Sequence, residues 1–70
     1  TKIFYNRIKA VLAENNKTNK DLAAFLDRTE STVSRWCTND IQPPVETLYE
    51  IAKFLKIDIR SLLNSTEWDK

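Results

Sequence analysis

The sequence predicts an all-α domain of five short helices. Three observations carry that prediction. Apolar residues recur at three- and four-residue intervals along most of the chain, short polar breaks separate these stretches, and no run alternates with a period of two. Seventy residues make one domain, expected to span 1–70 with its core at about 4–63 and a tail at 64–70. A chain this short buries only about 60% of its unfolded surface, so its core must be compact.

Phe4, Ile8, Val11 and Leu12 fall at helical spacing and predict a first helix ending near Glu14. Asn15 and Asn16 follow, and asparagine is the non-glycine residue best suited to a left-handed C-cap. Thr18 starts the second helix as an N-cap, with Asp21 at its third position and Leu22, Ala23, Phe25 and Leu26 as its apolar set. The pattern breaks at Asp27-Arg28. Thr29 then caps a third helix from Glu30 to about Thr38, with Val33, Trp36 and Cys37 inward. Asn39-Asp40 is a turn signal, and Ile41 to Pro44 reads as an extended linker. A fourth helix runs from about Pro44 to Lys56 on a stripe of Val45, Leu48, Ile51, Ala52 and Leu55. Asp58 caps a last short helix with Ile59, Leu62 and Leu63.

Composition narrows the function classes. The chain has 41% hydrophobic and 30% charged residues, a globular balance. No apolar run approaches the roughly 20 residues of a membrane span, and Thr1 to Arg7 lack a secretory h-region. Cys37 is the single cysteine and cannot form an internal disulfide, which fits a reducing, cytoplasmic setting. Histidine is absent, which removes the usual general base and the common zinc sites. Glycine is absent too, so no phosphate-cradling loop can form. A non-enzymatic protein without cofactor, metal or small-molecule ligand is expected.

Net charge is +1. Residues 1–42 hold seven basic and five acidic side chains, and residues 43–70 hold four and five. The basic excess lies in the first half. Lys2, Arg7, Lys9 and Lys17 could form a phosphate-gripping rim or an ordinary solvated face.

Thr18 to Asn39 is the informative segment: a capped short helix, a turn of about three residues, a threonine cap and a second short helix. Two steeply crossing helices need this layout, with a small residue (Ala23) and a β-branched one (Val33) at the crossing. With Val33 inward, Glu30, Ser31, Thr32, Ser34 and Arg35 face outward or sideways. Short hydrogen-bonding side chains and an arginine on a narrow helix can reach base edges in a major groove.

The chain resembles the Cro and phage-repressor class of helix-turn-helix domains, the lambda-repressor-like fold, over about residues 6–63. The resemblance lies in Asn6-Arg7-Ile8-Lys9, in Thr18 to Ala23, in Thr29 to Trp36, in Pro43 to Leu48, and in Ile51 to Leu55, in that order. It implies sequence-specific binding to double-stranded DNA by a repressor-like transcriptional regulator, as a homodimer on half-sites about one turn apart. It implies base reading at the start of the third helix, by Glu30 and Ser31, and one turn on by Arg35, with Thr32 and Ser34 on the same helix. Phosphate contacts fall to Lys17, Thr18, Asn19, Lys20 and Thr29, and to Thr38 and Asn39 after the third helix. The family usually has glycine where this chain has Asp27, and often glutamine where it has Glu30, which can accept from cytosine N4 or favour its helix N-terminus. Ile59, Leu62, Leu63 and Trp68 are the expected dimer contact. Low net charge and Glu30 keep a second reading open, an antitoxin-type or protein-interaction module in which DNA binding is secondary.

Overall fold

The computed structural model describes residues 1–68. Four α-helices follow one another: α1 (Ile8–Glu14), α2 (Asn19–Leu26), α3 (Glu30–Cys37) and α4 (Val45–Leu55). A 3₁₀ turn, Ile59–Leu62, takes the place of the expected fifth helix. No strand is present among the described residues, only an antiparallel bridge between Asn6 and Leu63. Residues 69 and 70 of the expected tail lie outside the described part.

Local chemistry at the helix starts is as the sequence predicts. The Thr18 hydroxyl accepts from the Asp21 amide at 3.1 Å while the Asp21 carboxylate accepts from the Thr18 amide at 2.9 Å, a complete capping box. The Thr29 hydroxyl accepts from the Thr32 amide at 3.1 Å, and the Asp58 carboxylate from the Arg60 amide at 2.8 Å. Each such cap is worth about 0.5–2 kcal/mol.

All four α-helices end the same way. The amides of Lys17, Arg28, Asp40 and Ile57 reach back to the carbonyls of Leu12, Ala23, Arg35 and Ala52, at 2.9–3.0 Å. The residue before each of these donors, Asn16, Asp27, Asn39 or Lys56, is left-handed with φ between 55 and 62°. This is the geometry that glycine usually supplies. In a chain without glycine, asparagine, aspartate and lysine hold it, at some backbone strain.

Ile8, Leu22, Val33, Ile51 and Leu62 are completely buried, and Val11, Leu12, Ala23, Trp36, Cys37, Leu48, Ala52 and Leu55 close the core around them. Burying one such aliphatic side chain contributes about 1.5–3 kcal/mol. Ala23 and Val33 are both buried, and α2 packs on α3.

Four apolar positions depart from expectation. Phe4 lies outside α1 and is exposed, because the Asn6 side chain accepts from the Ile8 amide at 3.0 Å and starts the helix there. Phe25 faces outward from α2 and stacks on Phe54 of α4, with ring centroids 4.6 Å apart. Val45 is 70% exposed in the first turn of α4, beyond the elements that the Leu48, Ile51 and Leu55 stripe packs against. Leu63 leaves the 3₁₀ turn in extended conformation and stays exposed.

Candidate nucleic-acid interface

Helix α3 turns Val33, Trp36 and Cys37 into the core, residues one turn apart on one face. At about 100° per residue, Ser31, Arg35 and Thr38 lie opposite that face, with Glu30 and Ser34 beside them. All five are exposed. The Arg35 charge reaches the Asp40 carboxylate, which Lys2 already occupies at 2.7 Å. Arg35 forms no ion pair among the described residues, so its guanidinium is available to a ligand.

Thr32 is set apart from this group. It is half-buried, and its hydroxyl oxygen accepts from that of Thr29 at 3.0 Å, so Thr29 spends its proton at the start of α3 while Thr32 keeps its own. The exposed Thr18 hydroxyl likewise serves its own helix start, accepting from the Asp21 amide within the capping box. Lys20 is exposed on the first turn of α2. Lys17 is exposed too, with its ammonium 5.5 Å from the centroid of the Phe54 ring, which restrains it beside the N-terminus of α2. Asn19 is half-buried, and its carbonyl accepts from the Cys37 thiol at 3.4 Å, tying the start of α2 to the end of α3. Burial pushes the Cys37 thiol above its ordinary pKa, the state of an inert packing residue.

Asn39 is the site residue that the structure reassigns. Its side chain is buried and fully engaged. The Oδ1 atom accepts from the Asn6 amide at 3.0 Å and from Gln42 Nε2 at 3.2 Å, while Nδ2 donates to the Asn6 carbonyl at 3.1 Å. Burial and these bonds turn the side chain toward the arm, and the exposed Thr38 hydroxyl beside it donates to Asp40 Oδ2 at 2.8 Å.

Asn39 belongs to a knot of amide side chains that sequence reasoning did not find. Asn6 Nδ2 donates to the Trp36 carbonyl at 3.0 Å and to Gln42 Oε1 at 2.7 Å. Asn64 Nδ2 donates to the Phe4 carbonyl at 2.7 Å, and its backbone amide to the Tyr5 carbonyl at 3.0 Å. No buried side-chain nitrogen or oxygen among the described residues lacks a partner. The knot clasps the N-terminal arm to the C-terminal end of α3. Outside it, Lys2 donates to the Thr38 carbonyl and to the Asp40 carboxylate, both at 2.7 Å. The abundance of Asn and Gln at positions 6, 39, 42 and 64 was the only signal available in the sequence.

The expected apolar dimer contact is also redrawn. Leu62 is wholly buried and cannot meet a partner, while Ile59 packs on the core and is partly exposed. Leu63 and Trp68 remain exposed, and the Asn6–Leu63 bridge sets Leu63 beside the exposed Ile3, Phe4 and Tyr5. Among the described residues, no helix is long and apolar enough to cross a membrane.

Comparison with known proteins agrees with this geometry. A helix-turn-helix family model of the Cro/C1 type matches residues 8–62. No curated protein gives a match. A crystal structure of a candidate DNA-binding protein from Bacteroides fragilis is similar to the chain, with a TM-score of 0.85 and 47% sequence identity, covering 86% of this chain and 97% of the other. The chain belongs to the Cro/C1-type helix-turn-helix family.

Proposed function

We propose that this chain reads double-stranded DNA sequence-specifically, with α3 in the major groove, as a homodimeric transcriptional regulator that carries out no catalysis and works in the cytoplasm. The observation that carries the reading is the exposed row of Ser31, Arg35 and Thr38 on the face of α3 opposite Val33 and Trp36. Arg35 is the base-reading arginine, suited to the two acceptors of guanine, with Ser31, Ser34 and Glu30 reading beside it. Thr18, Lys17 and Lys20 hold one phosphate strand at the start of α2. The family match and the name of the Bacteroides fragilis protein support DNA as the ligand. Leu63, bridged to the arm that carries Ile3, Phe4 and Tyr5, and the exposed Trp68 supply the apolar contact between two copies.

Selection from a random duplex library tests this reading. An enriched palindrome, bound less tightly as salt rises, is the expected result. Absence of enrichment, with no salt-sensitive binding, would replace it with the interaction-module reading.

A further inference from the structure

Asp40 is out of place in a DNA-binding surface. It follows Thr38 and Asn39 in the turn after α3, and its carboxylate is exposed next to the Thr38 hydroxyl, which donates to it at 2.8 Å. A free carboxylate there would repel phosphate. It would also draw Arg35, whose positive charge already reaches it, away from a base.

The N-terminal arm supplies the remedy. Lys2 reaches across from the other end of the chain and places its ammonium 2.7 Å from Asp40 Oδ1 and 2.7 Å from the Thr38 carbonyl. The arm holds this pose because the Asn6–Asn39 pair and the Asn64–Phe4 bond anchor it just downstream. The carboxylate therefore has both oxygens occupied, one by Lys2 and one by Thr38.

We propose that Lys2 is a positioning residue for DNA binding: it neutralises Asp40 and keeps Arg35 free, and it acts through Asp40 without itself gripping phosphate. The proposal rests on the DNA-binding reading above and adds to it a role for the arm. An exposed ion pair contributes little to stability, so the effect of Lys2 is seen in binding rather than in folding.

A double-mutant cycle tests it. The full chain and its Lys2→Ala, Asp40→Asn and doubly substituted variants are titrated against the duplex selected from the random library, at two salt concentrations. Thermal melting of each variant in parallel checks that all four are folded. Asp40→Asn alone is expected to change affinity by less than about two-fold, because its charge is already covered. Lys2→Ala is expected to weaken binding by about five-fold at low salt, and Asp40→Asn in the Lys2→Ala background to restore it. Equal effects of Asp40→Asn in both backgrounds would overturn the proposal and make Lys2 an ordinary phosphate contact. Failure of the unsubstituted chain to bind any duplex would instead remove the DNA-binding reading itself, and this proposal with it.

Discussion

Asn6 and Asn39, 33 residues apart, exchange two hydrogen bonds: the Asn6 amide donates to Asn39 Oδ1 at 3.0 Å, and Asn39 Nδ2 donates to the Asn6 carbonyl at 3.1 Å. The Asn39 side chain thus pairs with a backbone unit as a neighbouring strand would. It does so from a left-handed residue at φ 62°, which ends α3 and points the amide back into the protein. One residue therefore closes α3 and fastens the N-terminal arm.

Two substitutions separate those roles. Asn39→Gly keeps the left-handed backbone and loses only the hydrogen bonds, leaving buried Asn6 groups unsatisfied at a cost of about 2–3 kcal/mol. Asn39→Ala loses the same bonds and adds left-handed strain, for about 1 kcal/mol more. Urea denaturation of both variants measures the gap. Equal stability of the two would show that the strain at this position is no larger than glycine's extra entropy in the unfolded chain.

Lys56 holds the same geometry at the end of α4, φ 57°, with no side-chain hydrogen bond to justify it. Lys56→Gly is expected to stabilise the domain by about 0.5–1 kcal/mol, the released strain being partly offset by the entropy of glycine in the unfolded chain. A higher melting temperature checks this, and a lower one would contradict it.

Acid sensitivity follows from three exposed aspartates. The Arg60 side chain, then the Arg60 amide, hold the Asp58 carboxyl down to a pKa of about 2, from an ordinary 3.8. The Thr18 amide, then its hydroxyl, lower Asp21, and Lys2, then Thr38, lower Asp40. A carboxylate with a lowered folded pKa contributes stability that is full above the unfolded pKa and is lost as pH falls through the folded one. Melting temperature should therefore be flat above about pH 5 and fall toward pH 2. Asp58→Asn should flatten part of that fall, and an unchanged profile in this variant would show that the Arg60 contact has no influence on folding.

The parts of the fold that were legible in the sequence depend on near neighbours. Thr18 with Asp21, Thr29 with Thr32, and Asp58 with Arg60 act over two or three residues, so residue type and spacing reveal them. The exposed face of α3 was legible because Val33, Trp36 and Cys37 set the helix phase, and Ser31 and Arg35 follow from it. What was not legible depends on distant partners. Asn39 reads as a turn residue until Asn6 is placed beside it, and Thr29 reads as a phosphate donor until its hydroxyl proton is seen to go to Thr32. Leu62 and Leu63 are adjacent leucines, yet one is buried and the other exposed, because the chain leaves its 3₁₀ turn between them to bridge the arm. Val45 continues the spacing of its helix past the end of the surface that it would pack on.

The most direct test of base reading by α3 compares Arg35→Ala with the unsubstituted chain on the selected duplex, on random duplex, and on duplexes changed at each position in turn. Arg35 is exposed and outside the core, so the variant should fold normally. Binding to the selected duplex is expected to weaken by about 1–3 kcal/mol, discrimination should be lost at one base position per half-site, and binding to random duplex should change far less. Equal loss on selected and random DNA, with discrimination intact at every position, would show that Arg35 only grips phosphate and that α3 does not read bases through it.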